Sequence, residues 1–314
     1  MKVESIFSFL PRNKLNNSEL EIINGRDHKK IVSYTGFDRL HILNSVTSTE
    51  DFFFSALKKY FKLSKNNASI FDAIIFSSHS RKLEMPIFSA KIQNRFNFRN
   101  NILCYDLPSS CSGFTMGLLQ SYSFLKTKIA KNILLICADA HSKNLKKKNL
   151  KSIISDGISV IHLRSSINVI NYDIGVDGRN NEILRIDPET KSLDMNGIKV
   201  LEFALKRVPN SINNIQKQLK KNKVSVDYYA LHQPNKTMLE FIVKKLRLET
   251  KKVIKCVNFG NTSSPSIPIS LCNYFNGNTV NNKNFLFCGF GSGLSWSTIL
   301  IKLKKTFISK IYFI

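Results

Sequence analysis

The order of elements along this chain is written twice. The run "FDAIIFSSHS" (71–80) is a short apolar strand ending in small polar residues, followed by the helical stretch "PIFSAKIQNRF" and the strand "NILCYDL". A turn around Cys111 leads into "GFTMGLLQSYSFL", whose apolar residues recur at helical spacing, and the strands "KNILLICADA" (131–140) and "GISVIHLRS" close the series. In the second half "VDYYALHQPN" (226–235) is again a strand ending in polar residues. The helix "KTMLEFIVKKLRL", the strand "KKVIKCVNF", the turn "GNTSSPS" and the helix "IPISLCNYF" follow, and the strands "KNFLFCGFGSG" (283–293) and "SWSTILIKL" complete it. Strands alternating with helices of about 10 to 15 residues imply βαβ units and a largely parallel sheet with helices on both faces. The chain therefore reads as α/β, built from two halves of like topology, residues 1–166 and 167–314.

In such sheets reactive groups gather on the turns beyond the carboxyl ends of strands. Cys111 stands where a strand turns into a helix, among Ser110, Ser112 and Gly113. The positive end of a helix dipole favours thiolate there, and the small neighbours leave the sulfur open. His232, in "LHQPN", lies at a strand end of the other half, where an imidazole donates from Nε2 or acts as acid or base near neutral pH. Asn261, in "NFGNTSS", offers an N–H₂ donor that does not titrate. The glycines of "GFGSGLSW" (289–296) allow backbone N–H groups to point into a site, as an oxyanion hole requires. The same turn is a poor nucleotide signal, since the next segment reads as a strand with no suitably placed acidic residue. Together these groups form a nucleophile facing neutral donors.

Net charge is +25, from 47 Lys and Arg against 22 Asp and Glu, with runs such as "LKKKNLK" (145–151) and "KKLRLETKK" (244–252). Such a surface attracts acidic partners, whether nucleic acid, anionic membrane or acidic protein, and equally makes plain solvated faces. The basic runs lack interleaved aromatics, which speaks against nucleic acid. Six cysteines without a CxxC pair argue against a zinc site or a disulfide framework and for a reducing compartment. No apolar run approaches the roughly 18 residues that cross a bilayer, and the N-terminus lacks the features of a signal peptide, so the expected location is the cytoplasm.

In order and spacing the motifs "TGFDRLHI" (35–42), "PSSCSGF", "SDGISV" (155–160), "MNGIKVLEFA" (195–204), "LHQPN", "NFGNTSSPSIP" and "GFGSGLSW" resemble the β-ketoacyl-[acyl-carrier-protein] synthase III family of the thiolase superfamily. The resemblance spans nearly the whole chain. It implies a five-layer α-β-α-β-α sandwich of two pseudo-symmetric halves, usually a homodimer. It also implies that Cys111 takes an acyl group from acyl-CoA or acyl carrier protein, and that His232 and Asn261 stabilise the enolate formed as malonyl on the carrier loses carbon dioxide. The product is a β-ketoacyl chain on the carrier, and no metal or cofactor is implied.

By the same resemblance the oxyanion hole is the N–H of Cys111 with that of Ser292. The family's usual glycine there is a serine in this chain, which predicts backbone strain. Lys30 stands about where members primed by acetyl-CoA carry an adenine-stacking tryptophan, and Lys148 where they carry an arginine, leaving cationic contacts to CoA phosphates. Lys236, Lys244, Lys245 and Arg247, on the helix after His232, are the expected docking patch for an acidic carrier. Within the same fold, transfer of the acyl group to an alcohol or amine is the alternative activity. Hydroxymethylglutaryl-CoA synthase chemistry fits less well, because it wants a glutamate base as well.

Overall fold

The computed structural model describes residues 1–314 apart from Asn16, Arg26, residues 81–84, Val169, Lys191, Asn222 and Val257, and apart from the side chains of residues 17, 18, 23, 24, 28, 148 and 149. The strands that matter are β1 (Lys2–Leu10), β2 (Ala73–Ser77), β3 (Leu103–Leu107), β4 (Asn132–Asp139), β5 (Gly157–Arg164), β6 (Asn171–Val176), β7 (Tyr228–Leu231), β8 (Lys283–Gly291), β9 (Ser295–Leu303) and β10 (Thr306–Phe313). The helices around them are α1 (Thr49–Ser64), α2 (Phe88–Arg95), α3 (Gly113–Lys126), α4 (Gly197–Lys221), α5 (Lys236–Lys245) and α6 (Ser266–Phe275).

Two sheets carry the repeat. In the first, β1, β5, β4, β2 and β3 lie side by side in that order, with β5 antiparallel to both neighbours and β2 parallel to β4 and β3. In the second, β6, β9, β8 and β7 follow the same order, with β9 antiparallel to both neighbours and β7 parallel to β8. The chain end then returns to the first sheet, where β10 pairs in parallel with β1.

Side-chain alternation turns these sheets into layers. Along β4, Ile133, Leu135 and Cys137 join Phe114 and Leu118 of α3 in a core between the sheets, while Leu134, Ile136 and Ala138 pack outward with Phe53 of α1 and Phe88 of α2. Along β8, Phe285 and Phe287 enter the same central core, and Leu286, Cys288 and Phe290 pack outward with Phe203 and Ile212 of α4 and Leu239 of α5. Both strands thus bury both faces, which explains their near-continuous apolar runs. Each fully buried Leu or Phe stabilises by about 1.5–3 kcal/mol, and a one-residue slip would exchange the two cores. With α3 and α6 between the sheets and the other four helices outside, the five layers of the expected sandwich are complete.

One expected element does not form among the described residues. "KKVIKCVNF" reads as a strand, yet of its described residues only Val253 bridges to Tyr229 of β7, after a short 3₁₀ turn at Thr250–Lys252. The side chain of Gln233 occupies the place of the ladder: its Nε2 donates to the carbonyls of Leu231 at 2.7 Å and Ile254 at 3.3 Å, and its Oε1 accepts from the N–H of Cys256 at 3.0 Å.

Candidate active site

β3 ends at Leu107 and α3 begins at Gly113, so Cys111 sits on the turn between them. Its Sγ lies 3.6 Å from Ser110 Oγ and 3.7 Å from Ser263 Oγ. The end of β8 backs it closely: a Cβ on Gly291 would stand 2.8 Å from Cys111 Cβ and 3.3 Å from its sulfur. No side chain fits there, which explains the glycine.

The surroundings correct the expected sign of the thiol's shift. Burial pushes the Cys111 pKa up, against the smaller opposing pull of the Ser110 and Ser263 hydroxyls, and the nearby Asp139 carboxylate adds to the rise. Desolvation outweighs the benefit of the helix end, so the thiol stays protonated through neutral pH.

His232 follows β7 and is 2 % exposed. Its N–H donates to the Cys288 carbonyl at 2.8 Å, its ring stands edge-on to Phe290 with centroids 5.3 Å apart, and its Nδ1 lies 2.6 Å from Ser266 Oγ. Burial pulls its pKa down to about 3, so the ring is neutral at physiological pH. Asn261 is held from three sides. Its N–H donates to Ile153 O at 2.7 Å, its carbonyl accepts from Ser155 N–H at 3.0 Å, and its Oδ1 accepts from Ser263 N–H at 2.9 Å. With Oδ1 committed, the N–H₂ is the end left for a ligand. Ser263 takes the left-handed region at φ 61°, a costly conformation for a serine that this turn imposes.

These three residues line one pocket of about 100 Å³, together with Ser110, His141, Ser263, Gly291 and an apolar wall of Ile153, Leu184, Leu193, Met195, Met238 and Phe290. Among the described lining residues there is no carboxylate. Buried Asp139 stands behind the wall, accepting from the N–H groups of His79 at 2.8 Å, Ser80 at 3.0 Å and Ser264 at 3.0 Å. It ties the turn after β2 and the Asn261 turn to the end of β4. Gly291 and Ser266 lie inside the motifs "GFGSGLSW" and "NFGNTSSPSIP", but sequence reasoning gave neither side-chain position a role of its own, and it gave none to Asp139.

Ser292 follows Gly291 and is not among the described residues with positive φ; the left-handed angle falls instead on Gly293, at φ 134°. The expected strain at the serine is therefore absent, and its hydroxyl donates to Leu184 O at 2.8 Å. Among the described residues outside helices and strands, neither Cys111 N–H nor Ser292 N–H is a donor to another backbone carbonyl.

Of the cationic residues, Lys236 opens α5 beside Asn235 and Met238 of the pocket, whereas Lys244, Lys245 and Arg247 are exposed at its far end. Lys30 is exposed on the helix His28–Thr35, which docks on the start of α5 through a 2.7 Å bond from Thr237 Oγ1 to Tyr34 O. The side chain of Lys148 lies outside the described residues.

Comparison with known proteins identifies the family. Residues 105–178 match the family model for 3-oxoacyl-[acyl-carrier-protein] synthase III, and residues 217–303 match the model for the C-terminal part of that enzyme, together just over half of the chain. A β-ketoacyl-[acyl-carrier-protein] synthase III of Listeria monocytogenes is 28 % identical over 304 residues, covering 95 % of this chain and 97 % of that protein. Among solved structures, the 3-oxoacyl-(acyl-carrier protein) synthase of Burkholderia xenovorans superposes with a TM-score of 0.89 at 22 % identity, covering 100 % of this chain and 97 % of that one. The priming β-ketosynthase of the R1128 polyketide pathway gives 0.85 at 19 %, over 97 % and 96 %. By its matched halves, its layered fold and the order of its motifs, the chain belongs to the 3-oxoacyl-[acyl-carrier-protein] synthase III family.

Proposed function

We propose that the chain is a condensing acyltransferase, joining an acyl group to a malonyl unit on acyl carrier protein. Cys111 attacks the thioester carbonyl of an acyl-CoA or acyl-carrier donor; the acyl group passes to its sulfur, and its proton leaves on the departing sulfur as the free thiol of CoA or carrier. Malonyl-carrier then enters the pocket. As carbon dioxide departs, the electron pair of the broken C–C bond forms an enolate, whose oxygen accepts from His232 Nε2–H and Asn261 Nδ2–H. The enolate carbon attacks the acyl-Cys111 carbonyl, the N–H groups of Cys111 and Ser292 hold the oxyanion, and the thiolate leaves as the β-ketoacyl-carrier forms. The cycle as drawn uses no metal or organic cofactor.

The observation that carries this reading is the pairing of a thiol with two neutral donors in a pocket lined, among the described residues, by no carboxylate. A fixed negative charge would oppose the enolate, whereas a neutral imidazole and an amide stabilise it without first losing a proton. Lys236, Lys244, Lys245 and Arg247 form the docking patch for the acidic carrier, and Lys30 and Lys148 meet the phosphates of CoA. We also take the chain as two functional halves, 1–166 bearing the nucleophile and 167–314 bearing the donors, as a cytoplasmic enzyme and as a homodimer. Among the described residues β3 is paired on one side only, and that edge of the first sheet suits strand pairing between copies.

Mass spectrometry tests the scheme. Incubation with short- and medium-chain acyl-CoA and acyl-carrier donors gives a covalent acyl adduct on Cys111, and malonyl-carrier then discharges it as β-ketoacyl-carrier. Absence of an adduct with every donor removes the nucleophile. Discharge to an alcohol or amine without consumption of malonyl-carrier replaces condensation with simple acyl transfer.

A further inference from the structure

The ring of His232 has two nitrogens, and the enolate role needs the proton on Nε2. A free neutral imidazole favours that tautomer only modestly, so in the pocket the partner of the other nitrogen decides where the proton sits. Around Nδ1 the described structure offers one polar partner, the hydroxyl of Ser266, at 2.6 Å. Ser266 is 3 % exposed and opens α6. Its own N–H is committed to Ser263 O at 3.1 Å, and its hydroxyl has no other hydrogen bond among the described residues. If Nδ1 carried the proton, it would donate to Ser266 Oγ and the serine's own hydrogen, with no other partner among the described residues, would be buried without an acceptor, which is costly. If Nδ1 is bare, the serine O–H donates to it and both groups are satisfied.

We propose that Ser266 is a positioning residue that donates its hydroxyl proton to His232 Nδ1 and thereby holds the imidazole as the Nε2–H tautomer aimed at the pocket. The bond reaches across 34 positions of sequence, from the turn after β7 to the first residue of α6. Independently of Ser266, the His232 backbone is held by the Cys288 carbonyl and its ring packs edge to face with Phe290. What Ser266 adds is the placement of one proton. This inference rests on the donor role given to His232 above.

The test is ¹⁵N NMR of the full chain labelled at its six histidines, with the His232 signal identified by its loss in His232→Asn. The wild type shows Nε2 protonated and Nδ1 bare at neutral pH. In Ser266→Ala the two tautomers mix, and malonyl-carrier decarboxylation slows on the order of tenfold to a hundredfold, as for a weakened site hydrogen bond, far more than acyl loading of Cys111. Ser266→Thr, which keeps the hydroxyl, restores the tautomer and most of the rate. A protonated Nδ1 in the wild type overturns the proposal without any variant, as does a Ser266→Ala protein that keeps both tautomer and rate. Failure of the parent reading looks different: His232→Ala would then decarboxylate at the wild-type rate whatever tautomer the wild type holds.

Discussion

Acidification from pH 7 to pH 5 destabilises this protein through histidines it has buried neutral. An imidazole in the unfolded chain takes up its proton near pH 6.5, whereas folded His232 does so only at about 3. Between those values the unfolded state binds the extra proton, so the stability present above pH 6.5 is lost as pH falls through the window. Integrating the linkage for a shift from 6.5 to 3 gives about 2 kcal/mol lost between pH 7 and 5. His162, 8 % exposed and lowered to about 4 by burial, loses about the same. His41 and His79 move in the same direction. Asp72 and Asp227 are held below the usual carboxylate range by backbone N–H and cationic partners, and they titrate below this window. Buried Asp156, shifted upward, works against the histidines only as the pH nears its own range. Urea unfolding at pH 5, 6, 7 and 8 measures the effect, with a constant m-value showing that stability alone has changed. His232→Asn, which keeps a polar group facing Ser266 but cannot titrate, reduces the loss between pH 7 and 5 by about 2 kcal/mol. Equal losses in the wild type and His232→Asn would refute the reasoning.

Three further outcomes are expected. Gly291→Ala drives a methyl against Cys111, costing about 1–3 kcal/mol in a melting experiment and slowing acyl-adduct formation at least tenfold by mass spectrometry. Alkylation of Cys111 by iodoacetamide, read against Cys111→Ser, keeps accelerating with pH up to the ordinary thiol value of 9.0, because burial raises the thiol; a plateau near pH 7 would show a thiolate already formed. Paired Lys244→Glu and Lys245→Glu raises KM for malonyl-carrier roughly tenfold with little change in kcat, and added salt weakens the wild type in the same direction.

The doubled order of elements made most of the architecture legible, because each strand or helix announces itself within a dozen residues. Cys111 was legible for the same reason, as a small-residue turn between a strand and a helix, and the repeat then pointed to the equivalent turns at His232 and Asn261. Errors arose where one element is shaped by a side chain from another. The segment around Val253, Ile254 and Cys256 has a strand's composition, and what prevents the ladder is Gln233, whose amide reaches Cys256 N–H at 3.0 Å from 23 positions away. The thiol's shift had the wrong expected sign because helix polarity can be read from spacing, whereas desolvation depends on the backbone at Gly291 closing against the cysteine from the other half. At Ser292 the departure from glycine predicted strain, but the left-handed angle belongs to Gly293 beside it.

The remaining gap concerns the direction of hydrogen bonds. Residue type says that an asparagine carries an acceptor and a donor and that a histidine has two nitrogens, but not which end faces the substrate. In this fold both choices are made by one turn: Ser263 N–H takes Asn261 Oδ1 at 2.9 Å, and Ser266 Oγ meets His232 Nδ1 at 2.6 Å. Asp139 anchors the same turn through Ser264 N–H at 3.0 Å. In the proposed reaction residues 261–266 therefore supply one of the two donors and orient both, with the turn held from behind by a buried carboxylate. A serine at the start of a helix has an ordinary explanation as a capping residue, so nothing local marks Ser266 as different. Its role exists only because α6 begins beside a histidine that the other elements of the second half have already fixed in place.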